Sequence, residues 1–213
     1  MDLSRLVDAC NRIRADFDAK DAAREKALAL SREVIRNSAN SIRAVHRGEF
    51  VEARKLLATT GKMVIQARKA LAAHPEIYSA GFAQDAQKEY AEARITLALV
   101  HREQIPGPDE LHVDNSAYLN GLADAVGELR RHVLDEMRRA EPSWGEEVLT
   151  AMDDIYYLLV SFDYPSAITG NLKRTTDVTR SIIEKTRGDM TNAQRQERLE
   201  HAMRRLEKQI GPE

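Results

Sequence analysis

A chain of 213 residues with 43% apolar and 31% charged residues is long enough to bury a core and too apolar to be disordered. Its formal net charge of −2 excludes nucleic-acid binding by bulk positive charge, so any such surface must come from local clustering. The single cysteine, Cys10, excludes an intramolecular disulfide and a zinc site built from several cysteines.

Apolar residues recur at helical spacing along the whole chain, and the breaks between these runs carry glycine or proline. Gly48 is placed to end the first run as a C-cap glycine. Pro75 ends the second run, because the residue before a proline avoids the helical region. The spacing predicts helices over residues 3–46 (with a break left open at 15–22), 50–73, 79–101, 115–140, 144–160, 166–186 and from 191 onward.

No segment alternates apolar and polar residues as a strand does, and no linker separates two domains. The sequence therefore predicts an all-α, single-domain bundle of about seven long antiparallel helices over residues 1–213. The charged N-terminus is not typical of a secretory signal, and no run reaches the roughly 20 apolar residues of a membrane helix. We expect a soluble, cytoplasmic protein.

Two acidic pairs lie within apolar helical runs. Glu89 and Glu92 are three residues apart, and Asp124 and Glu128 are four apart, so each pair shares one helix face. Like charges so placed repel unless a cation lies between them, and Mg²⁺ and Mn²⁺ prefer oxygen ligands. Either pair alone is more typical of a solvated helix face than of a metal site. Two pairs on adjacent helices would form a four-carboxylate site able to activate water against a phosphodiester.

Two glycines interrupt the helix that carries the second acidic pair. Gly121 and Gly127 each cost up to about 1 kcal/mol of helix propensity. Glycine inside a helix is typical of a point where a neighbour or a ligand approaches closely. The sequence therefore predicts close packing at this helix, beside the acids.

Four segments resemble those of the translin and TRAX family. KEYAEA (88–93) and YLNGLADAVGEL (118–129) are similar to its two acidic motifs, roughly Q-E-[YF]-V-E-A and Y-L-x-G-x-A-D-x-x-G-E-L. ALSREVIRNSANSIRAVHRGE (29–49) and LKRTTDVTRSIIEKTRGD (172–189) resemble its first and last conserved helices. The resemblance covers about residues 28–188 and is greater to the TRAX branch, as an archaeal-type TRAX-like subunit.

The resemblance implies a metal-dependent endoribonuclease with single-stranded RNA as its substrate, and single-stranded DNA bound but cut poorly. It implies that one set of four acidic residues both binds Mg²⁺ or Mn²⁺ and cleaves RNA. The family fold is a seven-helix bundle, and it implies a homo-oligomer, typically an octameric barrel with the acids inside. The residues expected to be both catalytic and metal-binding are Glu89, Glu92, Asp124 and Glu128.

A basic stripe on the first helix is a candidate RNA-binding surface. Arg32, Arg36, Arg43 and Arg47 recur at intervals of four, seven and four, which is one helical face, and His46 lies alongside. Arginine suits bidentate phosphate contacts. A solvated face paired with Glu25, Glu33 or Glu49 is an equal alternative. A second candidate patch comprises Lys173, Arg174, Arg180, Lys185 and Arg187.

Two other functional classes stay open from the residues alone. One is a non-catalytic, translin-like module that binds single-stranded RNA or DNA and whose acids are structural. The other is a helical scaffold that binds no nucleic acid. The apolar run 156–160 could stack bases, but a core or subunit-interface role is favoured for it.

Overall fold

The structure is a computed structural model that describes residues 3–138 and 145–210. All regular elements in this described part are helices, which confirms the all-α prediction. The predicted break between the helices over 115–140 and 144–160 lies outside the described residues. The helices are α1 (Ser4–His46), α2 (Phe50–Leu71), α3 (Pro75–Tyr78), α4 (Phe82–Val100), α5 (Pro108–Leu111), α6 (Asn115–Arg138), α7 (Gly145–Val160), α8 (Ser166–Thr169) and α9 (Leu172–Ile210).

The chain divides into two compact units, Met1–Leu122 and Ala123–Glu213, with the division inside α6. In the first unit, α1 packs on α2 and α4 around side chains that are almost fully buried. None of the described helices combines the length and apolar character that a membrane crossing needs. The core residues of this unit include Val34, Leu57, Leu71 and Ile95.

Helix α1 is continuous over 43 residues and has no break at 15–22. It ends at His46, and Gly48 follows with a left-handed φ of 77°. The Gly48 amide donates to the Val45 carbonyl at 2.9 Å, which closes the last turn. The C-cap role predicted for Gly48 is confirmed, because only glycine takes this φ without cost.

The region predicted as one helix over 79–101 differs at its start. Pro75 opens the separate short helix α3, where its missing N–H costs nothing. Gly81, with φ of 98°, then turns the chain into α4, which begins at Phe82. The sequence pattern could not separate these elements, since Ile77 and Tyr78 continue the apolar spacing.

A polar network fixes α3 and α4 to the segment that enters α6. The Tyr78 hydroxyl donates to the Asp114 carboxylate, and the Gln87 amide donates to the Tyr78 oxygen at 2.9 Å. The Asp114 backbone N–H donates to the Gln87 Oε1 at 2.7 Å. Gln87 is only 2% exposed, so its polar atoms must find partners inside the protein. Burial, and then the bond to Asp114, raises the pKa of Tyr78.

In the second unit, α9 runs unbroken over 39 residues. The prediction that Gly188 and its neighbours break this helix, and that a new one opens at Thr191, is wrong. Asp189 forms an ion pair with Arg130 of α6 at 2.7 Å, and Met190 is buried against Gly145 of α7. These contacts outweigh the propensity cost of one glycine, about 1 kcal/mol.

The predicted start of the sixth helix, at residue 166, is also revised. Residues Ser166–Thr169 form the separate helix α8, and Gly170 and Asn171 both adopt positive φ, 61° and 67°. Two successive left-handed residues end one helix before α9 begins at Leu172. Asn171 is the residue type besides glycine that takes this conformation most readily.

The run 156–160 at the end of α7 is only partly core. Leu159 is almost fully buried, whereas Tyr157 is 70% exposed and Leu158 is 60% exposed. The core interpretation therefore holds for Leu159 alone among these three residues.

Candidate metal centre and nucleic-acid interface

The first acidic pair lies on α4 and is half-buried. Glu89 and Glu92 are both half-buried, whereas the intervening Tyr90 and Ala91 are only 4% and 0% exposed. The Lys88 Nζ lies 3.4 Å from the Glu89 Oε1. Apolar packing of the residues between them thus holds the two carboxylates at the edge of the core.

The backbone of α6 touches α4 beside this pair. A Cβ on Gly121 would lie 2.7 Å from the Lys88 carbonyl oxygen and 2.9 Å from the Ala91 Cβ. The close approach predicted at Gly121 is confirmed. At Gly127 a Cβ would meet only the Ile182 Cδ1, at an ordinary 3.9 Å, so no neighbouring helix approaches closely at this glycine.

The second acidic pair lies on α6, in the second unit. Asp124 and Glu128 are one helical turn apart and half-buried. Ala125 and Val126 between them are fully buried. Inside the same unit the Thr179 hydroxyl donates to the Ala123 carbonyl at 3.4 Å, which anchors α9 beside the start of this pair.

Each pair offers carboxylate oxygens, which are the donors that Mg²⁺ and Mn²⁺ prefer. Glu92, Asp124 and Glu128 each already take part in a polar interaction. Within residues 3–138 and 145–210, no group of three or more His, Cys, Asp or Glu side chains is arranged to hold a metal ion. The structure places each pair on one helix face within its own unit.

A glycine of α2 that the sequence interpretation missed positions α4. A Cβ on Gly61 would lie 2.6 Å from the Tyr90 hydroxyl oxygen, so the ring of Tyr90 occupies the space that glycine leaves. Tyr90 sits between Glu89 and Glu92, and Gly61 therefore helps to set the position of the acidic pair. The available signal was an isolated glycine within the apolar stripe of α2.

The arginine stripe of α1 is exposed as predicted. Arg32, Arg36, Arg43 and Arg47 all face solvent along one side of the helix. Arg43 donates to the Asn40 side-chain oxygen at 2.9 Å, so its partner in this hydrogen bond is a neutral amide. The stripe presents four guanidinium groups on a rigid helix.

Two of these arginines are paired with carboxylates, as the alternative interpretation expected. Arg36 pairs with Glu33, and Arg47 donates to both oxygens of Glu49 at 2.9 and 2.6 Å. This fork lowers the pKa of the Glu49 carboxyl. His46 is buried, with 8% exposure, and its burial argues against direct phosphate contact.

The second basic patch, on α9, is exposed but partly neutralised. Arg180 donates to Glu184 at 2.9 Å, and Arg187 donates to Asp153 of α7 at 2.6 Å. These ion pairs stabilise the helix and the α7–α9 contact. We therefore regard the α1 stripe as the better phosphate-binding candidate.

No protein-family model matches the sequence. An uncharacterized protein of Methanocaldococcus jannaschii is 34% identical over 193 residues, which cover 90% of this chain and 85% of the relative.

Solved structures give a second comparison. AfC3PO in complex with duplex RNA superposes with a TM-score of 0.81 at 32% identity, covering 87% of this chain and 96% of that one. The crystal structure of AfC3PO gives a TM-score of 0.80 at 32% identity, with 87% and 97% coverage. Apo-NeC3PO shares the fold, with a TM-score of 0.79 at 20% identity and 86% and 96% coverage. The identity to AfC3PO extends over almost its whole length, and the chain therefore belongs to the translin/TRAX family of C3PO-like proteins.

Proposed function

We propose that this protein is an RNA-cleaving subunit of TRAX type, an endoribonuclease that requires Mg²⁺ or Mn²⁺. The observation that carries the proposal is the contact of α6 with α4 at Gly121, next to Glu92. Asp124 and Glu128 follow Gly121 on the same helix by three and seven residues and thus share its face. The similarity to AfC3PO, which has been solved with duplex RNA, supports RNA as the ligand.

The donor chemistry fits the proposed ions. All four side chains are carboxylates, the donors that these ions prefer, and all four are half-buried. A bound Mg²⁺ or Mn²⁺ would neutralise the acids and stabilise the charge that develops on a phosphodiester. The role of the chain is then to hold Glu89, Glu92, Asp124 and Glu128 on rigid helices and to keep RNA against them.

The α1 stripe would hold the RNA backbone. Its arginines contact phosphates without reading bases, so binding should tolerate sequence changes and weaken steeply with salt. Arg32 and Arg43 are the primary candidates, because Arg36 and Arg47 must exchange a carboxylate for the phosphate. The family resemblance implies single-stranded RNA as the substrate. Because AfC3PO has been solved with duplex RNA, assays should include duplex RNA as a second ligand.

A non-catalytic, translin-like binding module is the second candidate. The exposure of the arginine stripe favours it, since RNA or single-stranded DNA could bind there whether or not the acids hold a metal ion. The two candidates share the binding surface and differ only in the role of the four carboxylates.

Cleavage assays separate the two candidates. Labelled single-stranded and duplex RNA are incubated with Mn²⁺ or Mg²⁺, with and without chelator, using wild type, Glu89→Gln and Asp124→Asn. We expect both variants to bind RNA normally in chelator and to lose cleavage. Glu52→Gln, an exposed acid of α2, is the matched control and should cleave like wild type. Folded Glu89→Gln and Asp124→Asn proteins that cut as fast as wild type would exclude the proposed site.

Assembly into a homo-oligomer, as an octameric barrel, is part of the same proposal. Large apolar side chains exposed at the end of α7 and on α8 support association. Tyr157, Leu158 and Ile168 are 70%, 60% and 65% exposed. Multi-angle light scattering should give the mass of a closed oligomer at micromolar concentration, and a stable monomer would refute this assembly.

A further inference from the structure

The first turns of α1 form an arm that does not share in the core. Every residue from Ser4 to Ala19 is exposed except Ala9, which is half-buried. Packing of α1 on the rest of its unit begins where Ala23 and Ala27 meet the apolar cluster of Leu71 and Ala83. We call residues 3–19 the N-terminal arm. At 1.5 Å per residue it extends by roughly 25 Å.

The arm carries an apolar stripe of the kind that pairs helices. Its members are spaced by three, four, three and four residues, which is the seam of a coiled coil. Leu6 is 58% exposed, Ile13 52% and Phe17 63%, and Val7 flanks the stripe at 55%. Together these side chains form a contiguous exposed apolar patch, a feature that marks interaction sites on proteins. The stripe consists of Leu3, Leu6, Cys10, Ile13 and Phe17.

The charges on the arm indicate which partner fits. Residues 3–14 carry three arginines and one aspartate, whereas residues 15–19 carry two aspartates and no basic residue. A second arm laid antiparallel would place the basic half of each helix along the acidic half of the other. A parallel arrangement would align like charges, which is unfavourable. The arm is thus complementary to a second copy of itself.

We propose that the N-terminal arms of two copies of this chain pair as an antiparallel two-helix coiled coil. The arm belongs to a 43-residue helix whose other end is packed in the core, so the cost of starting a helix is already met. Pairing buries both stripes and leaves the arginine stripe of α1 outside the contact. This contact does not depend on the proposed RNA cleavage.

The seam geometry sets the register. A coiled-coil heptad has two seam positions, a and d, and in an antiparallel pair each a residue lies beside a d residue of the other helix. Full overlap of the arms then puts Leu6 beside the partner subunit's Phe17, and Cys10 beside the partner subunit's Ile13. Cys10 is exposed in a single chain and becomes covered in the pair.

Reaction of Cys10 with a maleimide measures whether the arms pair. Ile13→Asp places a charge in the seam, and Ala15→Asp places the same charge on the opposite side of the helix. We expect Cys10 of wild type and of Ala15→Asp to react several-fold more slowly than Cys10 of Ile13→Asp at micromolar protein. Equal rates in all three full-length proteins would overturn the pairing.

Disulfide trapping tests the direction. In a Cys10→Ala background, full-length Leu6→Cys and Phe17→Cys proteins are oxidised singly and as a mixture. Antiparallel pairing predicts crosslinks only in the mixture, each joining one copy of either variant. Crosslinking of Leu6→Cys to itself would show parallel arms and overturn the proposal, as would the absence of any crosslink.

Discussion

The backbone of Gly121 lies so close to that of Glu92 that a Cβ on the glycine would come within 2.9 Å of the Glu92 amide nitrogen. The Lys88 carbonyl oxygen on the preceding turn of α4 would be nearer still, at 2.7 Å. Both are backbone atoms of one helix, so neither can rotate away as the end of a side chain would. Glycine is therefore required where α6 crosses α4, directly beside an acid of the candidate metal centre.

Gly121→Ala should destabilise the protein. The added methyl group must push α6 away from α4, and overpacking of this kind typically costs about 1–3 kcal/mol. Urea denaturation should show a lower midpoint with an unchanged slope. Gly127→Ala is the matched control on the same helix, since its Cβ would meet only the Ile182 Cδ1 at 3.9 Å. A Gly121→Ala protein as stable as the control would mean that the helices are not in contact there.

Gly188→Ala should stabilise the protein. Gly188 lies within α9, is exposed, and a Cβ there would meet no atom within 4 Å. Alanine should therefore gain helix propensity of about 1 kcal/mol and raise the melting temperature. Calorimetry of the two proteins measures the difference. A decrease would indicate that the chain leaves the helix at this residue, as the sequence pattern had suggested.

The Tyr78 network predicts a loss of stability at high pH. Burial and the bond to Asp114 raise the pKa of Tyr78, so the folded protein holds this proton more tightly than the unfolded chain. The resulting stabilisation is fully present below the pKa of an unfolded tyrosine, about 10, and disappears as pH rises through the folded value. Unfolding free energies from pH 8 to 11 should therefore fall more for wild type than for Tyr78→Phe.

Tyr78→Phe should also lower the free energy of unfolding near neutral pH. It removes the hydroxyl that bridges Gln87 and Asp114, and the loss of such a bond should cost about 1 kcal/mol. The burial-raised pKa values of Tyr90 and Tyr118 are common to both proteins, so their difference isolates Tyr78. Parallel pH profiles for the two proteins would show that Tyr78 titrates normally.

Arg43→Gln should weaken RNA binding at every sequence tested. Removing one phosphate contact lowers the slope of log affinity against log salt by about 0.7–1. Fluorescence anisotropy in chelator, from low to moderate salt, measures this slope without cleavage. Arg180→Gln removes an arginine that is already bound to Glu184 and should leave the slope unchanged. An unchanged slope for Arg43→Gln would place the RNA elsewhere.

The sequence specified the helices well where local signals decide their ends. Gly48 and Pro75 act through their own backbone conformations, so their effects can be read from the sequence alone. The continuity of α9 could not be read in this way. It depends on Asp189 and Met190 meeting Arg130 and Gly145, which are distant in sequence.

The candidate site likewise has features that could be predicted from the sequence and features that could not. Helical spacing indicates that Glu89 and Glu92 share a face, and the glycine pattern correctly indicated close approach at Gly121. The pattern treated Gly121 and Gly127 alike, because spacing carries no information about which neighbour each glycine meets. The space that Gly61 leaves for Tyr90 was missed for the same reason.

The unbroken course of α1 turns the N-terminal arm into a spacer. Ser4 and His46 are ends of one helix, so the arm and Arg32 keep a fixed separation along a common axis. In the antiparallel pair, the two copies of Arg32 would be roughly 60 Å apart at 1.5 Å per residue. A nucleic-acid strand advances by about 3.4 Å per nucleotide, so roughly 20 nucleotides are needed to reach both stripes at once. Shorter oligonucleotides would engage one subunit at a time, and only longer ones would gain avidity from the pair.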